Sequence, residues 1–181
     1  MSAILVASWL LAAQPTAAPP APRPVTTVDR VDLDRYAGQW YEIARFPNRF
    51  QRQCTGDVRA TYARRPDGRI DVVNECRTSD GQTTQAKGVA RVVDGSGNAR
   101  LKVRFAPAFL SFLPIVWGDY WVIALGDGYD WAVVGSPDRQ YLWILSRTAV
   151  LDESRWAQAL EHVRSNAFDE GRLVRTPQQG R

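Results

Sequence analysis

The feature that most constrains the fold of this chain is a succession of short strand patterns from residue 34 to residue 148, with no long helical period among them. Turn-forming stretches separate the patterns, such as RRPDGR at 64–69 and DGSGN at 94–98. Such spacing predicts an antiparallel sandwich or barrel, and eight strands can close a barrel around one small ligand. The predicted strands are 38–45, 55–64, 69–77, 83–93, 99–105, 119–125, 130–135 and 141–147.

The residues after the last strand follow a helical pattern. LDESRWAQALEHVRSNAF places Leu151, Trp156, Leu160 and Val163 on one side at helical spacing, with Asp152 as the N-cap. We therefore predict an all-β, eight-stranded, antiparallel up-and-down barrel with one C-terminal helix packed outside. GRLVRT at 171–176 predicts a final edge strand.

Alternation along the strands predicts which side chains face inward. On the first strand the inward set is Trp40, Glu42 and Ala44. Small and aromatic residues dominate the inward positions of the later strands, which are Val58, Ala60, Tyr62, Ile70, Val72, Ala86, Gly88, Ala90, Val92, Leu101, Val103, Phe105, Tyr120, Val122, Ala124, Tyr141, Trp143 and Leu145. A barrel with Gly and Ala on one wall has room inside, whereas a structural core would be filled.

Two motifs at the two ends of the strand pattern resemble those of the lipocalins, and in particular of their bacterial and apolipoprotein D-like members. They are GQW within LDRYAGQWYEIARFPNRFQ and the stretch VVGSPDRQYLWILSRT. The resemblance covers residues 31–176 and implies a calyx, which is a barrel with one closed and one open end. Gly38, Trp40 and Arg147 would close the base, because glycine allows a close backbone approach and the guanidinium can lie over the indole ring.

The resemblance also implies a ligand and a role. Such a protein would store or transport fatty acids or lysophospholipids for maintenance of the cell envelope, and it would not be an enzyme. We expect the acyl chain to contact inward side chains, while Arg45, Arg49 and Arg52 near the mouth either attract the head group or are merely solvated. The predicted ligand-binding residues are Glu42, Ala60, Tyr62, Ala90, Val103, Phe105, Tyr120, Val122, Tyr141 and Trp143.

Glu42 has two interpretations. A carboxylate beside an apolar interior must be hydrogen-bonded or paired, so it either makes a structural hydrogen bond or orients the polar part of a ligand. The connection at 106–118 is also ambiguous, since APAFLSFLPIVWG is unusually apolar for a loop. It predicts ligand access, peripheral membrane contact or a homodimer interface, or else a lid over the barrel's own core.

The chain has two cysteines, Cys54 and Cys76, predicted at the mouth ends of neighbouring strands. In an exported protein they predict a disulfide across the rim. The alternative is a lipocalin-fold enzyme, an isomerase or a redox-active thiol protein, that uses one of these thiols. His162 is the one histidine and falls on the helix, so we expect no metal site and no cofactor.

The first 24 residues read as an apolar run followed by a proline-rich spacer, which resembles a signal peptide and predicts an exported protein. We expect it in the periplasm or associated with the outer membrane, and no lipid-bearing cysteine follows the apolar run. The predicted domain is 31–176 and the tail is 177–181. The net charge of +4 comes mainly from scattered arginines, so we expect no nucleic-acid partner.

Overall fold

The computed structural model describes residues 23–179, and it shows a closed antiparallel β-barrel with one long helix outside. This confirms the predicted fold class. The predicted leader falls almost wholly on residues 1–22, which lie outside the described part of the chain. The elements are α1 (Leu33–Tyr36), β1 (Gly38–Arg45), β2 (Cys54–Arg64), β3 (Ile70–Thr78), β4 (Thr83–Val92), β5 (Arg100–Arg104), β6 (Gly118–Leu125), β7 (Trp131–Gly135), β8 (Leu142–Ser146), α2 (Glu153–Ser165) and β9 (Val174–Arg175).

Strands β1 to β8 pair in sequence order, and β1 pairs with both β8 and β2 to close the barrel. The closure with β2 uses only the first half of β1, from Gly38 opposite Tyr62 to Tyr41 opposite Arg59. Because neighbouring strands are antiparallel, their connections alternate between two ends. The base holds α1 and the turns at 65–69, 93–99 and 126–130, and the mouth holds the connections at 46–53, 79–82, 105–117 and 136–141.

The C-terminal segment completes the barrel wall where β1 and β2 separate. β9 pairs with the second half of β1, and the backbone N–H of Asp57 on β2 donates to the carbonyl of Pro177 at 2.8 Å. The Gln178 amide donates to the carbonyls of Glu42 and Val58, one on each strand. The upper gap between β1 and β2 is therefore covered by the end of the chain.

The sheet has a buried core on each face. The inner core surrounds Trp40 at the base, and the outer core lies between the sheet and α2. Asp152 caps α2 by accepting a hydrogen bond from the N–H of Arg155, as predicted. Ala159 and Val163 are the buried residues of α2, so the helix covers the outer wall of the barrel.

Two of the predicted inward positions are wrong. Ala44 and Ala124 belong to the outer core, against α2 and its neighbours. The pairing register shifts between Glu42 and Ala44 on β1, and between Val122 and Ala124 on β6. A β-bulge adds one residue to one strand and so reverses the alternation beyond it. Strict alternation across these strands therefore assigned the wrong face after each bulge.

Candidate functional site

The closed base of the barrel is formed by Trp40 and Arg147. Trp40 is fully buried, and the guanidinium carbon of Arg147 lies 3.9 Å from the centroid of its ring. Arg147 also donates to three backbone carbonyls, those of Gln39 at 2.8 Å, Arg35 at 2.6 Å and Tyr129 at 3.2 Å. Its charge is thus held by the π face and by carbonyl dipoles.

Gly38 is needed where the chain enters this base. Its φ is +92°, a backbone conformation that side chains rarely adopt, and a Cβ atom here would lie 3.3 Å from Nη1 of Arg147. Two residues later the indole N–H of Trp40 donates to the carbonyl of Tyr36 at 2.8 Å. The Gly-x-Trp spacing therefore brings β1 past Arg147 and anchors it to α1.

Three tyrosine hydroxyls meet above this floor. The hydroxyl of Tyr120 lies 2.8 Å from that of Tyr36 and 2.9 Å from that of Tyr62. Burial raises the pKa of Tyr36 and of Tyr120 well above the ordinary value, and it raises the pKa of Tyr62 to about 12. All three side chains are therefore protonated at neutral pH and can donate hydrogen bonds.

A small apolar cavity of about 20 Å³ lies beside these tyrosines, enough for about one water molecule. Half of the predicted ligand-binding residues line it together, namely Tyr62, Ala90, Val103, Tyr120 and Val122. Ala60 lies on the same wall, opposite Trp40 in the β1–β2 register. The structure thus brings the deeper half of the predicted set together at the base of the interior.

The other aromatic residues of that set lie nearer the mouth. The rings of Tyr141 and Trp143 stack with centroids 5.9 Å apart, and Phe50 packs on Tyr141 at 5.7 Å. Phe105 lies across Gly88, where a Cβ atom would come within 2.8 Å of its ring. These side chains form an aromatic upper wall above the alanine and valine residues.

Glu42 is buried and serves as the centre of a hydrogen-bond network. Its Oε1 accepts from Arg45 at 2.6 Å and from the hydroxyl of Thr176, and its Oε2 accepts from Gln51 at 2.6 Å. Oε1 of Gln51 then accepts from the indole N–H of Trp143 at 3.0 Å. The structural interpretation of Glu42 is therefore supported, because both of its oxygens have partners within the protein.

The three arginines predicted at the mouth have different environments. Arg45 forms an ion pair with Glu42 inside the wall. Arg49 lies over the ring of Phe50 at 5.0 Å, and both Arg49 and Arg52 are exposed. Only these two are placed to attract an anionic group of a ligand, since the charge of Arg45 is already balanced.

Cys54 and Cys76 form a disulfide, as predicted, with their Cα atoms 5.5 Å apart. The bond joins β2 and β3 at the mouth end of the barrel. A nucleophilic thiol would require one of these sulfurs to be free, and both are used in the bond. The thiol-enzyme alternative has no support here.

The apolar connection between β5 and β6 is folded on the outer face of the barrel. Its two short 3₁₀ turns, Ala108–Leu110 and Pro114–Val116, leave Phe109, Phe112 and Ile115 exposed by 74, 76 and 92%. Its last residue, Trp117, is held by a hydrogen bond to the carbonyl of Ser111 and lies under the guanidinium groups of Arg91 and Arg104. The lid interpretation is not supported, because the three large side chains point into solvent.

Three contributors to the site were not predicted. Tyr36 lies on α1, outside the strands whose alternation was used, although it precedes Trp40 by four residues. Gln51 and Phe50 lie in the turn Arg49–Gln51, whose N-cap Asn48 accepts from both backbone N–H groups. The Asn-x-x-Gln spacing could have indicated this cap, but no local signal indicates that Gln51 reaches Glu42.

Within residues 23–179 we find no helix long and apolar enough to span a membrane. The same residues contain no cluster of three His, Cys, Asp or Glu side chains that could hold a metal ion.

Comparisons with protein-family models and with known proteins match most of this chain. A family model for a lipocalin-like domain matches residues 31–178. The chain is 44% identical to temperature-induced lipocalin-1 of Arabidopsis thaliana over 153 residues, 83% of this chain and 81% of that protein. It is 40% identical to the outer membrane lipoprotein Blc of Escherichia coli K12 over 163 residues, 90% and 88% of the two chains.

Solved structures show the same fold at lower identity. Insecticyanin from the tobacco hornworm Manduca sexta superposes with a TM-score of 0.67 at 20% identity, over 88% of this chain and 87% of that chain. An apocrustacyanin C1 structure gives a TM-score of 0.65 at 19% identity. With its closed base, its Gly-x-Trp motif, its arginine on the indole ring and these matches, the chain belongs to the lipocalin family.

Proposed function

We propose that this protein binds a single-chain amphipathic lipid, a fatty acid or a lysophospholipid, and stores or transports it for maintenance of the cell envelope. The observation behind the proposal is an interior with a sealed base, small apolar side chains above it and aromatic side chains toward the mouth. Small-molecule sites combine such apolar walls with a few polar groups. The similarity to outer membrane lipoproteins supports an exported protein in the periplasm or at the outer membrane.

In this proposal the acyl chain lies along the predicted wall, with Ala60, Ala90 and Val122 toward the base and Trp143 toward the mouth. Each buried methylene contributes about 0.8 kcal/mol before the costs of association are subtracted. The head group stays at the rim, where Arg49 and Arg52 are exposed. Glu42 contributes indirectly, because it holds Gln51 and through it the indole of Trp143.

The test of this proposal is native mass spectrometry of protein purified from its own envelope, with extraction and identification of lipid, together with titration of tryptophan fluorescence by lysophospholipid and fatty acid. We expect a co-purified lipid and quenching that is lost in Trp143→Phe. Absence of both lipid and quenching would contradict lipid binding.

A matched pair of variants locates the binding site. Ala90→Phe places a ring in the buried cavity, so we expect at least tenfold weaker binding of a fluorescent fatty acid. Lys87→Phe adds the same ring to the exposed face of the same strand and should leave binding unchanged. Equal binding by both variants and the wild type would place the ligand elsewhere.

We propose further that the exposed side chains Phe109, Phe112 and Ile115 contact a membrane surface that contains anionic lipids. Apolar side chains exposed together on one loop indicate an interaction surface. Arg91 is exposed on the outer wall and lies against Trp117 of the same loop, and an exposed basic group attracts anionic lipid surfaces. Such contact would let a ligand pass between the bilayer and the nearby mouth.

Vesicle flotation tests this contact. We expect the wild type to float with vesicles of phosphatidylglycerol and phosphatidylethanolamine, and the triple variant Phe109→Ser, Phe112→Ser, Ile115→Ser to remain in solution. Val150→Ser serves as the control, since it removes an exposed apolar side chain elsewhere. A wild type that does not float, but forms a dimer that the triple variant loses, would instead assign the loop to a homodimer interface.

A further inference from the structure

The three hydroxyl groups at the base of the interior cannot satisfy one another. Tyr120 is hydrogen-bonded to Tyr36 and to Tyr62, and these two bonds use two of the three hydroxyl protons. If Tyr120 accepts both bonds, its own proton has no partner in the cluster, and if it donates one, the proton of a terminal tyrosine has none. In every arrangement one O–H donor is left over, while each hydroxyl oxygen can accept two bonds.

The hydrogen-bond acceptor available to this leftover O–H differs between the ligand-free and the ligand-bound barrel. The cavity that these tyrosines line has room for about one water molecule, so water can accept from the leftover donor when no ligand is present. An acyl chain that fills the interior displaces this water and brings only methylene groups. The leftover O–H would then be buried without an acceptor, which weakens binding.

The charges near the cluster favour a neutral oxygen as the missing partner. Arg147 lies on the floor, where it already donates to three backbone carbonyls and packs on the indole ring of Trp40. Arg64 lines the cavity, but it forms an ion pair with Asp34. Arg45 is not free either, since it forms an ion pair with Glu42. A carboxylate at this depth would therefore be desolvated without a free cation, whereas a hydroxyl group could both accept from the leftover O–H and donate to a tyrosine oxygen.

We propose that Tyr36, Tyr62 and Tyr120 form a second polar subsite, which recognises a neutral oxygen, above all a hydroxyl group, at the buried end of the ligand's chain. This inference rests on the proposed binding of a lipid and narrows its class to chains oxygenated far from the head group. The head group remains at the mouth.

The experiment compares dodecanoic, tetradecanoic and hexadecanoic acids with their ω-hydroxy counterparts in the wild type and in a Tyr36→Phe, Tyr62→Phe, Tyr120→Phe variant. All three hydroxyls must be removed, because any one that remains still has a proton to donate. Tyr141→Phe, which removes a hydroxyl on the upper wall, is the matched control. The measured quantity is the ratio of the Kd of the plain acid to that of its hydroxy counterpart.

At the best chain length we expect this ratio to be about fivefold to tenfold higher in the wild type and in Tyr141→Phe than in the triple variant, the change that one neutral hydrogen bond gives. An equal ratio in all three proteins, as when the cluster simply keeps a bound water, would overturn the inference while leaving lipid binding intact. If no acid of either kind binds the wild type, the proposed lipid binding fails as well.

A second measurement uses the wild type alone and does not depend on the folding of the variant. A fatty acid with a keto group next to its far end reports its hydrogen bonding through its infrared carbonyl band. We expect the band of the bound ligand to lie at a lower frequency than in alkane solvent, because the carbonyl accepts a hydrogen bond from the cluster. A bound ligand whose band stays at the frequency seen in alkane solvent would overturn the inference.

Discussion

The base and the mouth of this barrel are held together by different kinds of interaction. At the base Arg147 donates to backbone carbonyls and packs on a fully buried indole, so its contacts depend on the path of the chain. At the mouth the network of Glu42, Gln51 and Trp143 joins side chains from a turn and two strands, and a disulfide ties the rim. The buried contacts at the base stabilise the fold, whereas the aromatic side chains at the mouth are partly exposed.

This difference predicts that substitutions at the two ends have different effects. Changes at the base should lower the free energy of unfolding, and changes at the mouth should act mainly on what binds. The following predictions test that division, beginning with the largest expected effect on stability.

Trp40→Ala should lower the free energy of unfolding by about 3–5 kcal/mol, because it removes a fully buried indole and leaves Arg147 over a cavity. Trp143→Ala at the mouth should cost less than half as much, since that ring is only part-buried. Urea denaturation followed by far-UV circular dichroism measures both. Equal losses in the two variants would contradict the division.

Replacing both cysteines by alanine should lower the free energy of unfolding by about 3 kcal/mol, given the separation of 22 residues between them. The bond lies at the mouth, so this is the main stability effect we expect there. Reduction of the wild type by dithiothreitol should give the same urea midpoint as the double variant. A double variant as stable as the wild type would show that the rim does not need the bond.

Glu42→Gln should cost about 1–3 kcal/mol, because the amide cannot accept from Arg45, Gln51 and Thr176 as the carboxylate does. It should also shift the fluorescence of Trp143, since Gln51 loses the partner that holds it against the indole. A spectrum identical to that of the wild type would show that Glu42 does not hold Gln51 against the indole of Trp143. The matched control is Glu75→Gln, a pair with Gln85 on the exposed face.

The tyrosine cluster should make the base sensitive to alkali. The pKa of Tyr62 is raised from 10.0 to about 12 in the folded protein, so the unfolded chain loses this proton first as the pH rises. Stability from this group is complete below pH 10 and is lost between pH 10 and about 12, at up to about 1.4 kcal/mol per pH unit. Urea midpoints across this window should fall less in the triple phenylalanine variant than in the wild type.

The smallest effect on stability should come from the exposed loop. The serine substitutions at Phe109, Phe112 and Ile115 should change the free energy of unfolding by less than about 0.5 kcal/mol, because these side chains are already in water. Thermal unfolding of the triple variant and the wild type provides the measurement. A large loss would show that the loop packs on a partner or on the barrel in solution.

The features of the fold that were predicted correctly depend on local patterns. The helix after the barrel follows from its N-cap and its apolar spacing, and the disulfide follows from two cysteines at the ends of adjacent strands. The deeper wall was predicted from alternation, and five of its residues line one cavity. Alternation holds wherever the strand is regular, so these assignments needed no knowledge of tertiary contacts.

The errors and omissions have equally physical reasons. Ala44 and Ala124 were assigned to the wrong face because a bulge depends on pairing with the neighbouring strand. Tyr36 and Gln51 act on residues to which no local pattern connects them, and the gap between β1 and β2 is covered by Pro177 and Gln178 from the far end of the chain. Each of these depends on contacts between segments distant in sequence.

The sequence by itself determined the barrel, its helix, its closed end and the pairing of its cysteines, because period, turn residues and the Gly-x-Trp spacing act over a few neighbouring residues. Only the tertiary structure decided that Glu42 is paired with Arg45 inside the wall, that the apolar loop lies outside, and that three hydroxyl groups meet with one proton that has no acceptor among them. Each of these features depends on several groups that are distant in sequence and come together only when the sheet closes. The donors and acceptors of the three tyrosines can be counted against one another only in the closed barrel, where their hydroxyl groups are in contact.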